Sequence, residues 1–218
     1  MKTALIAGAT GLVGSFLLDE LLENDNYSQV KILVRKKMEK AHPKLTQIVF
    51  DYDNPDQSAV KADDVFCCLG TTIRKAGSKE AFEKVDYEYP LKLAQLAHKN
   101  GSKSFHLVTA LGADEKSMFF YNKVKGKVER EVSKIPFDSL CIYRPSMLLG
   151  PRREFRLGEE VAKRFMKTFG FLFSRNTKGI HVSQVARCMV SNANEDQPEP
   201  IRVILSGEMQ KFEVKKNV

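Results

Sequence analysis

Two hydrophobic rhythms alternate along the first 150 residues of the chain. Short runs that are apolar at almost every position, such as TALIAG (3–8), stop at glycine and read as strands buried on both faces. Between them, apolar residues recur at helical spacing, as with Val13, Phe16, Leu17 and Leu21 in GLVGSFLLDELLEN (11–24). QVKILVRKK gives a second strand over about 29–34, LTQIVFDYD a third, and DDVFCCLGTT a fourth that ends in Gly70-Thr71-Thr72. One long helix is predicted from Lys79 to Lys99, with Leu91, Ala94 and Ala97 among its apolar positions and Gly101 as its stop. SFHLVTAL is then a fifth strand, SMFFYNKVKGKVEREVSK a helix and DSLCIYRPSML a sixth strand. Strands alternating with helices predict an α/β fold, a parallel sheet doubly wound with helices on both faces.

After Pro145 the rhythm becomes irregular. PRREFRLGEEVAKRFMKTFGFLF has a helical pattern, GIHVSQVARCMVSNA that of a strand and helix, and IRVILSG that of a late strand. This tail is too short and broken for an independent domain. The expectation is one domain over 1–218, with a core to about 145 and a small C-terminal substrate lobe over the sheet's carboxyl edge. Phe165, Phe169, Phe171 and Phe173 fall in that lobe and suit its core better than a ligand pocket.

Composition narrows the class without naming a function. The 218 residues are 43% hydrophobic and 28% charged, as in ordinary globular proteins. No apolar run approaches the ~20 residues needed to span a bilayer. The opening MKTALIAGATGLVG lacks a signal-peptide pattern, so a cytoplasmic address is expected. Cys67, Cys68, Cys141 and Cys188 match no zinc spacing and read as reduced, buried thiols; no metal is expected. His106 and His181 carry no assigned chemistry. The net charge of +8 is spread over several segments, none interleaved with aromatics in a stacking pattern, so no specific nucleic-acid partner is expected.

The first strand–helix junction carries the strongest chemistry. Gly8, Ala9, Thr10, Gly11, Leu12, Val13 and Gly14 form a G-x-x-G-x-x-G turn between a strand and a helix, where a dinucleotide's pyrophosphate would meet the amide-rich helix end. At the end of the second strand stand Arg35, Lys36 and Lys37, where an NAD site would place an acid for the ribose 2′-hydroxyl. Cations there suit a 2′-phosphate, which favours NADP(H). Asp51 and Tyr52 end the third strand beside the expected adenine pocket. Leu69, Gly70 and Thr71 end the fourth, beside the cofactor's middle.

Given that setting, Tyr121 and Lys125 acquire a use. They stand one helical turn apart on one face. Hydride transfer at a carbonyl or alcohol also needs a proton moved at the oxygen. A tyrosine ordinarily ionises near pH 10, and a neighbouring ammonium favours its anion. Lys125 would also hold the nicotinamide ribose, and the Thr109 hydroxyl would meet the substrate oxygen.

Together, GATGLVG, VRK, FCCLGTT, FEKVDYEYP, FYNKVKGKVE and YRPSMLLGPRRE resemble the short-chain dehydrogenase/reductase superfamily, and more narrowly its atypical branch of Tat-interacting-protein-like oxidoreductases. The resemblance spans about 4–154, and GIHVSQVARCMV extends it. It implies a Rossmann-like fold, NADP(H), Tyr121 as acid/base, Lys125 as its partner, and Arg152 near cofactor or substrate. A homodimer through a sheet-flanking helix is an analogy of the same kind. One departure stands out: the superfamily places serine, often two in a row, where this chain has Thr109-Ala110, with Ser117 and Ser146 poorly placed to replace it. The leading reading is an NADP(H)-dependent oxidoreductase of a small carbonyl or alcohol. The alternative is an NADP(H)-sensing regulatory protein that binds cofactor and a protein partner with little turnover.

Overall fold

The predicted strands assemble into one sheet of seven parallel strands, with a separate parallel pair beside it. The structure is a computed structural model that describes residues 1–150, 176–196 and 198–214. The strands are β1 (Lys2–Ala7), β2 (Tyr27–Val34), β3 (Leu45–Val49), β4 (Asp64–Cys67), β5 (Ser104–Val108), β6 (Ser139–Arg144), β7 (Leu148–Leu149), β8 (Ile180–His181) and β9 (Ile201–Leu205). The main sheet runs in the order β3-β2-β1-β4-β5-β6-β9, and the small pair joins β7 to β8. The helices are α1 (Leu12–Glu23), α2 (Ile73–Ala76), α3 (Lys79–Glu83), α4 (Tyr89–Lys99), α5 (Phe120–Val132), α6 (Val182–Ala193) and α7 (Ser206–Met209). The Rossmann-like, doubly wound architecture is therefore present.

Both faces of the sheet are covered. Leu17, Leu18 and Leu21 of α1 and Val185, Ala186 and Met189 of α6 pack on one side, against Ile6, Ile32 and Ile204. Leu93, Ala94 and Ala97 of α4 and Val128 and Val132 of α5 pack on the other, against Leu5, Val65 and Ile142. This is why the central strands are apolar throughout: neither face meets water.

Several boundaries differ from the sequence expectation. β3 stops at Val49, before FDYD, and the predicted sixth strand is β6 followed by the separate β7. The tail divides: β9 becomes the seventh strand of the main sheet and α6 its second covering helix on the α1 side, whereas 151–175, and with it Arg152 and the phenylalanines 165–173, lies outside the described residues. The long helix 79–99 is broken into α3, a π-helical turn Lys84–Glu88, and α4. Pro90 accounts for the break. It has no N–H for the carbonyl of Asp86 four residues earlier, and its ring would strike that carbonyl in a regular helix. The turn before it is π-helical instead, with the Tyr89 N–H bonded to the Lys84 carbonyl five residues back.

A chain of polar side chains crosses the core where β1, β2, β4, β5 and β6 lie side by side. The Tyr27 hydroxyl donates to Asp64 (2.6 Å), and Ser104 donates to the other Asp64 oxygen (2.7 Å). His106 lies 3.0 Å from Ser104 Oγ through one ring nitrogen and 3.0 Å from the Tyr143 hydroxyl through the other, and Asn192 donates to that hydroxyl (3.2 Å). Lys2 closes the chain at Asp64 (3.3 Å). Burial lowers the His106 pKa from 6.5 to about 4, so the ring is neutral in the fold. Because the folded value lies below the unfolded one, the contribution is complete above pH 6.5 and is lost as pH falls towards 4, where the unfolded chain takes the proton first. A shift from 6.5 to about 4 is worth on the order of 3 kcal/mol. Urea unfolding at pH 7.5, 6 and 5 should show the stability advantage of the unmodified chain over His106→Gln shrinking as pH falls. An advantage constant over that range would contradict a neutral buried His106.

Candidate dinucleotide and Tyr–Lys site

The strand order reverses direction at β1 and β4, and the loops after these neighbouring strands form the floor of a crevice. Gly8 follows β1 with φ +86°, and its Cα faces the loop after β4 so closely that a Cβ would stand 2.6 Å from the Cys68 carbonyl oxygen. Gly14, in the first turn of α1, packs on Gly8: a Cβ there would lie 2.2 Å from the Gly8 carbonyl oxygen. Gly11 begins α1 and caps it without a side chain. The first amides of α1 are thus left for a ligand at the positive end of the helix. Ala9 and Val13 are buried beneath this turn, Thr10 and Gly11 are exposed at it, and Leu12 is partly covered. The cradle fits a diphosphate: bare backbone, an uncapped helix start and no side chain in the way.

At the end of β2, Arg35, Lys36 and Lys37 are all exposed, and no carboxylate pairs with Arg35 or Lys36 among the described residues. Asp51 is exposed and accepts the Asp53 amide (2.9 Å), a local turn that holds its carboxyl below the usual range. Tyr52 packs between Phe50 (ring centroids 4.9 Å) and Tyr89 (5.1 Å, stacked), and burial raises its pKa. Its buried hydroxyl has no hydrogen-bond partner among the described residues.

Helix α5 carries Tyr121 and, one turn later, Lys125. Tyr121 is 38% exposed, with its ring 5.6 Å from that of Phe82. Lys125, 4% exposed, reaches inward to Asp86 of the π turn, with Nζ 2.7 Å from Oδ1. The other Asp86 oxygen accepts the Thr71 amide at 2.9 Å, and Gly70 lies against the pair. Leu69 is partly buried beside them. Burial alone would lower the Lys125 pKa; the Asp86 charge overcomes it, and the net direction is up.

Thr109, just after β5, bonds to the same helix. Its hydroxyl donates to Glu129 (2.5 Å), which also holds Arg144 through both carboxylate oxygens, and lies 3.2 Å from the Tyr143 carbonyl. The hydroxyl expected to meet substrate is therefore engaged within the protein, and Ala110, the next residue, offers none. Ser117 accepts the Phe119 amide, and Ser146 is tied to Ser206 and to the Lys178 carbonyl. Sequence reasoning missed Asp86, Glu129 and Arg144. Glu129 extends the Tyr121–Lys125 stripe by one more turn, which was a readable signal; the partner of Asp86 was not readable, because it depends on a break in a helix.

Comparison with known proteins agrees with this geometry. The model of a family described as NAD(P)H-binding matches residues 8–196. The chain belongs to that family. It is 41% identical to Protein HTATIP2 of Rattus norvegicus over 199 residues, covering 88% of this chain and 81% of that protein. It is 32% identical to Protein FMP52, mitochondrial, of Eremothecium gossypii, covering 94% and 95% of the two chains. A structure of MoeE5 in complex with UDP-glucose and NAD superposes with a TM-score of 0.70 at 16% identity, over 92% of this chain and 74% of that one, a likeness of fold. The expected cytoplasmic address is corrected: several fungal relatives, including those of Eremothecium gossypii and Candida albicans, are named mitochondrial. The absence of an export signal had no power to exclude that compartment. Among the described residues no helix is long and apolar enough to cross a membrane.

Replacing Gly14 by alanine would drive a methyl into the Gly8 carbonyl at the centre of the cradle. The expected outcome is a loss of about 1–3 kcal/mol in thermal unfolding together with weaker dinucleotide binding. An alanine variant that melts and binds like the unmodified chain would contradict the close packing.

Proposed function

We propose that the protein is an NADP(H)-dependent oxidoreductase of the short-chain dehydrogenase/reductase type, acting on a small carbonyl or alcohol. The observation that carries this reading is Lys125 and Tyr121 on one face of α5, with Lys125 held against the Gly70–Thr71 turn beside the glycine cradle. A bound nicotinamide cofactor supplies or accepts the hydride. Gly8, Gly11 and Gly14 would admit its diphosphate; Arg35 and Lys36 would face the 2′-phosphate; Tyr52, Asp51 and Leu69 would border the adenosine side and Gly70 and Thr71 the middle. Lys125 would hold the nicotinamide ribose. Tyr121, half in solvent, would donate the proton to the substrate oxygen in reduction and take it back in oxidation.

Tyr121→Phe should lower NADPH oxidation against a panel of aldehydes, ketones and quinones by about 10²–10⁴-fold, with NADPH binding, read by its fluorescence, unchanged. Turnover equal to that of the unmodified chain would remove Tyr121 from the chemistry. Arg35→Ser should reduce the preference for NADPH over NADH by about tenfold, the scale of one charge-assisted hydrogen bond. An unchanged ratio of dissociation constants would reject Arg35 as a 2′-phosphate ligand.

A second reading draws on Thr109. With its hydroxyl given to Glu129 and alanine at 110, the site offers less help to a substrate oxygen than the superfamily pattern supplies. That favours a cofactor-binding regulator with little turnover. NADPH binding without oxidation of any panel member, and with no effect of Tyr121→Phe, is the result expected of it.

A further inference from the structure

Lys125 and Asp86 are almost wholly out of water, at 4% and 1% exposure, and their charged atoms are 2.7 Å apart. Oδ1 faces the ammonium as an ion pair without meeting hydrogen-bond geometry, and Oδ2 accepts the Thr71 amide. We propose that Asp86 is the positioning residue of this site, fixing the Lys125 ammonium and the Gly70–Thr71 turn against each other, so that the seat of the cofactor and the charge beside Tyr121 are set by one carboxylate.

Three observations support a specific pairing. First, the groups that act electrostatically on Lys125 are Asp86 from the π turn, Tyr121 from its own helix and Cys67 from β4. Asp86 is the one carboxylate among them, and burial pushes the Cys67 thiol up to about 12, so it stays uncharged at neutral pH. Second, the other acids beside α5 already have partners: Glu83 takes Lys127 (2.7 Å), and Glu129 takes Arg144 and Thr109. Third, Asp86 lies inside the π turn, bracketed by Lys127 stacked over Tyr87 (4.1 Å to the ring centre) and paired to Glu83, so the turn is fastened to α5 on both sides of the carboxylate. A buried cation whose counterion is removed loses its proton more easily than an ordinary lysine, because desolvation is then unopposed. The consequence for turnover rests on the oxidoreductase reading; the pairing does not.

The test uses the full chain labelled with ¹³C at lysine Cε, unmodified and as Asp86→Asn, Asp86→Glu and Lys125→Met, the last to assign the Lys125 resonance. Lys125 is expected to titrate above the ordinary lysine range in the unmodified chain and below it in Asp86→Asn, with Asp86→Glu returning it upward. The same pH in the unmodified and Asp86→Asn proteins would overturn the pairing. Where Asp86→Asn fails to fold, the Asp86→Asn/Lys125→Met double variant should recover folding because no charge is left unmatched; a double variant as unstable as the single one overturns the pairing. With NADPH and a turned-over carbonyl, Asp86→Asn should lower kcat/KM on the order of 10²-fold and alter its pH profile, with partial rescue in Asp86→Glu. An unchanged profile overturns the positioning role. An unmodified chain that neither binds nor oxidises NADPH defeats the oxidoreductase reading, while the lysine titration still decides the pairing.

Discussion

A charge taken out of water has to be answered by another charge or by several hydrogen bonds, and the architecture around Lys125 is shaped by that requirement. The lysine enters the protein from α5, and its answer comes from a different helix, at a residue that a regular helix would aim elsewhere. Removing one partner of such a pair typically costs about 3–5 kcal/mol, more than most single contacts. The pair therefore constrains α5, the π turn and the loop after β4 together, and the glycine cradle is on the next loop along the same sheet edge. Each piece of the crevice is held by the main core on one side and by this pair on the other.

The buried polar chain from Lys2 through Asp64, Ser104 and His106 to Tyr143 and Asn192 is a different use of the same physics. Its members from Asp64 to Asn192 are buried, Lys2 alone reaches solvent at one end, and each hydrogen-bonds or pairs with the next. It ties five strands and α6 into one register, which hydrophobic contacts alone, being non-directional, specify less sharply. Two buried polar clusters thus divide the labour: one fixes the sheet, the other fixes the crevice.

The fold was legible because strands covered on both faces must be apolar, and the helices between them must show one apolar stripe. Those two patterns are local and survive in the sequence. The glycine turn was legible for the same reason: Gly8 and Gly14 answer a steric demand within seven residues of each other. Thr109 was less so, since the residue just past a strand can face either side of the sheet, and here it turns to Glu129. The helix break was written in Pro90, but the apolar spacing of Leu91, Ala94 and Ala97 continued across it and masked it. The seventh strand was recognised as a strand, yet its place beside β6 depends on a pairing across about sixty residues, which no local pattern records.

The π turn at 84–88 also bears on how this chain can change over time. A π turn is a helix carrying one residue more than its α-helical equivalent. Deleting a single residue there would regularise the helix while rotating the residues before the deletion by about 100° relative to those after it. The regular helix would carry Pro90 against the carbonyl four residues before it, and Asp86 would no longer point at Lys125. Length at this one place is thus held by two constraints that act together: the proline disfavours a regular helix, and the buried lysine requires the carboxylate where the extra residue puts it. In an alignment of relatives, a one-residue gap between Lys84 and Pro90 would mark chains that meet their lysine in some other way.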